Sequence, residues 1–168
     1  MRTVTFQGNP LTLQGQEIRA GMPAPPFDVL ANDLSPVTQD VLKGRITVII
    51  SVPSLDTPVC DTETRRFNKE AEILGDAVHV ICVSMDLPFA QSRWCGSAGV
   101  EIVSTVSDHR DASFGTAFGV LIKELRLLAR AVFVVDAGGI VRYSQCVPEI
   151  TDEPDYSAVL SAVKALLT

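Results

Sequence analysis

The sequence predicts an α/β fold: a mixed central sheet with helices on both faces and a β-hairpin at the N-terminus. Three observations carry that expectation. The runs ITVIISVP at 46–53 and AVHVICVSMD at 77–86 are continuously apolar and rich in β-branched residues, as strands buried on both faces are. Strand and helix patterns alternate from residue 46 to residue 118. The chain then closes on two strands and a helix, which adds antiparallel pairing to a parallel set.

Taken in order, Val4–Phe6 and Leu11–Leu13 read as a hairpin about Gln7-Gly8-Asn9-Pro10. Residues 20–36 are rich in Pro and Gly and read as an irregular approach to the core. The strand at 46–53 leads into a helix at Pro58–Leu74, and the strand at 77–86 into a short helix at Pro88–Trp94 with Gly96 as its stop. A strand at Ile102–Val106 and a helix at Asp111–Phe118 follow. RAVFVVD at 130–136 and GIVRYSQCV at 139–147 form a hairpin around Ala137-Gly138. The last helix, Asp155–Leu167, carries Val159, Leu160, Val163, Leu166 and Leu167 on one stripe. No repeat or long linker intervenes, so residues 1–168 read as one domain, with 1–19 as a hairpin extension.

A chain of 168 residues can bury a sizeable core without staples. Its 20 acidic and 14 basic side chains give a net charge of −6, with a pI near 4.8 and a mean hydropathy of +0.25. That composition excludes a disordered chain and argues against nucleic acid or an anionic membrane as the partner. No apolar run approaches the roughly 18 residues of a membrane span. The start, MRTVTFQGNP, lacks the apolar region of an export signal, so a cytoplasmic location is expected.

The four cysteines are Cys60, Cys82, Cys95 and Cys146. None forms a C-x-x-C, and neither His79 nor His109 is spaced as a ligand pair with a cysteine, so no metal site is expected. Two structural disulfides are not expected in a reducing compartment. Each thiol is therefore read from its own surroundings.

The segment PSLDTPVC, residues 53–60, joins a buried strand to a helix. Thr57 suits the N-cap and Pro58 the first helical position, which places Cys60 in the first turn. There the unpaired N–H groups and the positive end of the helix dipole favour a thiolate. Cys60, Thr64, Phe67, Ala71 and Leu74 share the core-facing stripe, so Cys60 belongs at the base of a recess. Asp61, Glu63, Arg65 and Arg66 are assigned to other faces. A space-filling buried cysteine is the alternative, but it has no need of the Thr57 hydroxyl three residues earlier.

The run P-x-x-x-T-x-x-C from Pro53 to Cys60 resembles the active-site signature of the peroxiredoxins. FQGNP at 6–10, DLPFAQSRWCG at 86–96, LLARAVFVVD at 127–136 and EITDEPDY at 149–156 resemble the bacterial thiol peroxidase subfamily, the atypical two-cysteine branch. The resemblance implies a thioredoxin-like fold, a homodimer and antioxidant reduction of hydrogen peroxide and organic hydroperoxides by a cysteine thiol, without cofactor or metal. It gives Cys60 the peroxidatic role, with Thr57, Pro53 and Arg130 completing the site. It gives Cys95 the resolving role through an intramolecular Cys60–Cys95 disulfide, which thioredoxin reduces.

The chemistry suits these residue types. A thiolate attacks the terminal peroxide oxygen and becomes a sulfenic acid, and donors preorganised around both oxygens lower the barrier. Thr57 and the N–H groups near Val59 and Cys60 are such donors. Pro53 has no N–H and shapes the recess against water, and Arg130 is a cation for sulfur and peroxide. Cys95, beside Gly96 at a helix end, lies in a segment able to move.

Cys82 reads as a small buried hydrophobe and Cys146 as a thiol of moderate exposure. Nothing brings His79 or His109 to Cys60 as the base of a hydrolase. Asp108, Asp152 and Asp155 read as solvated or capping carboxylates, and Phe27, Phe89, Trp94 and Phe118 as core or dimer-face aromatics. Two other functions share a reactive Cys60. Thioredoxin-type dithiol exchange is opposed by Thr57, which stands where the second thiol would. A redox-sensing module differs only in lacking turnover.

Overall fold

A computed structural model describes all residues from Met1 to Thr168. Strands β1 (Thr3–Phe6) and β2 (Asn9–Gln14) pair with Phe6 opposite Asn9. The turn is thus only Gln7-Gly8, and Asn9-Pro10 belong to the strand. Both turn residues have positive φ, 50° and 82°, which matches the twist of a two-residue hairpin. The Pro- and Gly-rich stretch is not irregular throughout. It contains β3 (Asp28–Leu30), which pairs with β4 (Pro36–Thr38) at the edge of the main sheet. Strands of three residues are too short to show a period, and an edge tolerates proline.

Next come β5 (Ile46–Ser51), buried along its whole length, and α1 (Pro58–Leu74), at the expected bounds. They are followed by β6 (Val78–Ser84), α2 (Pro88–Ala98), β7 (Ser104–Ser107) and α3 (Ser113–Ala117). Helix α2 runs past its expected stop. Gly96 is helical, and Gly99, in the left-handed region at φ 68°, ends the helix. Cys95 consequently sits within the last helical turn.

Two strands not expected from sequence, β8 (Leu121–Ile122) and β9 (Leu127–Leu128), extend the N-terminal hairpin into a four-stranded sheet, β1-β2-β8-β9. The chain ends with β10 (Ala131–Val135), β11 (Val141–Cys146) and α4 (Tyr156–Leu167). Asp155 caps α4, accepting from the Ala158 N–H at 3.0 Å.

The main sheet has the order β11-β10-β5-β6-β7-β3-β4, with β5, β6 and β7 parallel and the other pairings antiparallel. Alternation along β10 divides the core. Val132 and Val134 pack with Phe67 and Ala71 of α1 and Val159 and Val163 of α4. Ala131, Phe133 and Val135 pack on the opposite side with Phe27, Phe114 and Phe118. Of the expected aromatics, Phe27 and Phe118 are core and Trp94 is half-buried, whereas Phe89 stands 67% exposed. No helix is long and apolar enough to cross a membrane.

The register has one consequence for the cysteines. Val132, Ile50, Cys82 and Thr105 are direct partners across β10, β5, β6 and β7. Helix α1 meets this row at Cys82, whose sulfur lies 3.8 Å from the Thr64 hydroxyl. Helix α2 meets it at Thr105, whose hydroxyl lies 3.4 Å from the Cys95 sulfur. The helices bearing Cys60 and Cys95 therefore rest on adjacent strands, about 4.8 Å apart.

Candidate active site

The loop between β5 and α1 carries Pro53 and Thr57, and Asp86 holds it in place. The Asp86 carboxylate accepts from Ser54 Oγ at 2.7 Å, the Leu55 N–H at 2.9 Å and Ser84 Oγ at 2.7 Å. Thr57 takes the N-cap position, but its hydroxyl donates to the Ser54 carbonyl at 2.9 Å and makes no capping bond. That donor is engaged within the loop until the hydroxyl turns.

Helix α1 begins its hydrogen bonding with the Asp61 N–H to the Thr57 carbonyl at 3.0 Å. The N–H groups of Val59 and Cys60 precede that bond and have no intrahelical partner. Cys60 is fully buried at this helix end. Arg130, between β9 and β10 and only 2% exposed, reaches it, with Nη2 3.3 Å from Cys60 Sγ. The guanidinium is fixed by Nε and Nη2 donating to the Ile150 carbonyl at 3.0 and 2.8 Å. It is also fixed by Nη1 donating to Glu63 Oε2 at 2.5 Å.

Glu63 corrects the sequence reading, which set it on another face of α1. It is fully buried, because three residues after Cys60 is the same face of a helix. That spacing was the available signal. Burial pushes its carboxyl up to about 7, while Arg130 pulls the other way. Burial prevails, and Oε1 has no hydrogen-bond partner. Burial likewise works against the charge of Arg130, yet Cys60 and Glu63 together outweigh it and hold the guanidinium more firmly protonated than usual. Asp86 was missed as well. Its carboxylate follows a strand end, but only the folded chain reveals which loop it braces.

A recess of about 240 Å³ is lined by Pro53, Thr57, Val59 and Arg130, the residue that reaches the Cys60 sulfur, with Phe6 from the N-terminal hairpin and Ile150 from the loop after β11. A wider, shallower cleft of about 590 Å³ between Gly44, Asp76, Asp136 and Leu166 holds no thiol. Only the smaller of the two has in its wall Arg130, the side chain that touches the Cys60 sulfur. Pro53, Thr57 and Arg130 thus share one recess, and Arg130 joins it to Cys60. Cys95 is not at the recess: its sulfur contacts Thr105, and all four cysteines are free.

The remaining candidates fall elsewhere. Cys82 is buried in the sheet, where burial pushes its thiol well up. Cys146 is half-buried, and burial raises it too. His79 meets Ser104 at 3.1 Å near the start of β6, at the far end of that strand from the Asp86 brace. Asp108 is buried, not solvated, and accepts from the Phe114 and Gly115 N–H groups at 3.0 and 2.8 Å. No three metal-ligating side chains gather into a cluster.

Residues 19–160 match the Redoxin family, and the chain belongs to that family. Its fold is the thioredoxin-like fold of the peroxiredoxins. It superposes on the peroxiredoxin-like protein of Aquifex aeolicus with a TM-score of 0.87 and 46% identity, covering 99% of this chain and 98% of that one. It is similar in sequence to the thiol peroxidase of Halalkalibacterium halodurans, 58% identical over 99% of this chain and 100% of that protein. It is 55% identical to the thiol peroxidase of Bacillus subtilis over 99% of each.

Proposed function

We propose that this chain is a thiol peroxidase in which Cys60 reduces hydrogen peroxide and organic hydroperoxides to water and alcohols. One observation carries the reading: Arg130 Nη2 lies 3.3 Å from a fully buried Cys60 sulfur at a helix N-terminus. A guanidinium and unpaired N–H groups around a thiol favour its anion, which is the nucleophile.

The Cys60 thiolate attacks the terminal oxygen of a hydroperoxide entering the recess. The S–O bond forms as the O–O bond breaks, Cys60 becomes a sulfenic acid, and the departing oxygen takes a proton to leave as alcohol or water. Arg130 and the Val59 and Cys60 N–H groups stabilise the charge that moves from sulfur to oxygen. Thr57 supplies a further hydroxyl once it turns from Ser54, and Pro53 shields the thiolate from water. The Cys95 thiol then displaces hydroxide from the sulfenic acid, giving the Cys60–Cys95 disulfide and water. Thioredoxin reduces that disulfide for the next turnover, in antioxidant defence. Adjacent seats for α1 and α2 on the sheet support this pairing, and the local helix ends must loosen for it to close.

The same reading treats residues 1–168 as one domain, to which the 1–19 hairpin is tied by the Thr5 N–H donating to the Pro148 carbonyl at 2.8 Å. It includes a cytoplasmic location, where thioredoxin recycling operates. It also includes a homodimer, for which the exposed Leu87 and Phe89 offer an apolar surface. The test is NADPH oxidation with thioredoxin and its reductase, for wild type, Cys60→Ser and Cys95→Ser. Continuous peroxide consumption by wild type alone is expected, with a single oxidation event in Cys95→Ser. Turnover by Cys60→Ser overturns the reading.

A further inference from the structure

The Cys95 sulfur sits at the end of a short polar chain that no step above uses. The Thr105 hydroxyl, 4% exposed on β7, donates to Asn32 Oδ1 at 3.1 Å and lies 3.4 Å from Cys95 Sγ. A hydroxyl has one hydrogen and here Asn32 receives it, so the contact with sulfur is Cys95 S–H donating to Thr105 Oγ1. Asn32 lies two residues beyond β3, whose Leu30 pairs with Ser107 of β7. Sheet pairing thus sets Asn32 beside β7, and α2 brings Cys95 to the same Thr105 hydroxyl.

We propose that Thr105 is a positioning residue for the resolving step: its hydroxyl is held by Asn32 while Cys95 is protonated, in a hydrogen-bond relay that reverses as Cys95 loses its proton. This role rests on Cys95 being the resolving thiol. With Cys95 protonated, donation runs from sulfur to Thr105 to Asn32 Oδ1. Once the proton leaves to solvent, the Asn32 amide turns to present its NH2, and the Thr105 hydroxyl swings its hydrogen onto the thiolate. An asparagine side chain can accept or donate from the same position, and a threonine hydroxyl can do both at once. Within the relay only the Asn32 amide oxygen and nitrogen exchange places, by rotation about the last side-chain bond.

The step balances. Cys95 sulfur gives an electron pair to Cys60 sulfur, the S–S bond forms, and the S–O bond breaks. The hydroxide takes up a proton and leaves as water. Cys95 is oxidised and the Cys60 sulfenic acid reduced by the same pair.

The charged groups reaching α2 come from α1, Asp61 on the Trp94 indole and Arg65 on the Ala98 carbonyl, with exposed Arg93 on α2 itself. The side facing β7 and the segment after β3 supplies only the neutral Thr105 and Asn32 to the sulfur. A hydroxyl there is consequently the main local donor for a thiolate.

The test reads Cys95 directly, as its alkylation rate by iodoacetamide across neutral to alkaline pH. Peptide mass spectrometry follows the reaction in a Cys60→Ser background. Thr105→Val removes the donor at nearly constant volume. It is expected to slow alkylation about tenfold at neutral pH and to move the profile to higher pH, the worth of one hydrogen bond to a charged group. Thr105→Ser restores the wild-type profile. Asn32→Asp, an acceptor that keeps the hydroxyl proton, also slows the reaction, whereas Asn32→Ala frees the hydroxyl for sulfur and does not. A merely structural part for this chain predicts the same sign for both Asn32 variants. These two also decide the matter if Thr105→Val folds poorly.

With Cys60 intact, the burst of Cys60 oxidation is expected to be unchanged in every variant. A Thr105→Val profile superimposed on wild type, or Asn32→Ala slowed as much as Thr105→Val, overturns the relay. Full thioredoxin-linked turnover in Cys95→Ser would instead remove the resolving role beneath it.

Discussion

Arg130 donates through Nη1 to Glu63 and through Nη2 to Cys60, so one buried guanidinium is shared between a carboxyl and the thiol three residues before it on α1. The thiol's electrostatic partner is therefore shared with a second acid.

Replacing Arg130 tests the first half of that relationship. Arg130→Met is expected to slow Cys60 oxidation about 10²- to 10³-fold in stopped-flow measurements with peroxide, the usual effect of deleting a preorganised donor. It also leaves Glu63 buried without its cation, a loss of about 3–5 kcal/mol when that carboxyl is ionised. Glu63 can escape by keeping its proton. The loss in urea unfolding should thus be smaller at pH 6 than at pH 8, and equal losses at both would contradict this account.

Glu63 carries a pH dependence of its own. Its carboxyl, pushed up to about 7 by burial against the pull of Arg130, binds a proton more tightly folded than unfolded. The sign follows: this contribution to stability is full below the ordinary carboxylate range and is lost as pH rises through about 7. Glu63→Gln keeps a donor and an acceptor but no titration. Its unfolding free energy is expected to lack that decline between pH 5 and 8, measured beside wild type. The variant also leaves the whole charge of Arg130 to Cys60, so the rate of Cys60 oxidation should lose any inflection near pH 7.

Phe6 belongs to the N-terminal hairpin, yet it lines the recess with Val59 and Ile150. Phe6→Ala removes apolar wall against which a bulky hydroperoxide, unlike hydrogen peroxide, has apolar surface to bury. The expected result is about a tenfold rise in KM for an aromatic hydroperoxide, with the constants for hydrogen peroxide unchanged. Steady-state kinetics on both substrates decides it.

Trp94, the only tryptophan, donates from Nε1 to Asp61 Oδ1 at 2.9 Å. Arg65 lies over its ring, 5.9 Å from the centroid, and also donates to the Ala98 carbonyl at 3.1 Å. This clasp joins the residue after Cys60 to the residue before Cys95. The Cys60 sulfur rests on Arg130 and the Cys95 sulfur on Thr105, so both must leave these contacts for a disulfide to close, and the clasp between their neighbours is expected to be disturbed. Peroxide is expected to change Trp94 fluorescence in two phases, and Cys95→Ser should lose the slower one. A slow phase that survives that substitution separates the signal from disulfide formation.

Much of the fold was legible because its signals are local. The β-branched runs of β5 and β6 and the Thr57-Pro58 start of α1 need no partner to be recognised, and α1 has the expected bounds. What escaped was short or non-local. β3, β4, β8 and β9 hold two or three residues each and exist only through their neighbours. Gly96 looked like a helix stop because glycine permits one, but the left-handed turn falls at Gly99.

By itself the sequence determined the order of the longer strands and helices, a thiol placed in the first turn of a helix, and a proline and a threonine ahead of that thiol. Only tertiary structure decided the company each thiol keeps. Sheet pairing brings Arg130 from the start of β10 under α1, and Glu63 turns inward to meet it. The register that aligns Cys82 with Thr105 seats α1 and α2 on neighbouring strands. These contacts join positions 67 or more residues apart, or cross from one strand to the next. Local pattern cannot encode them, because each depends on the registers of several strands at once.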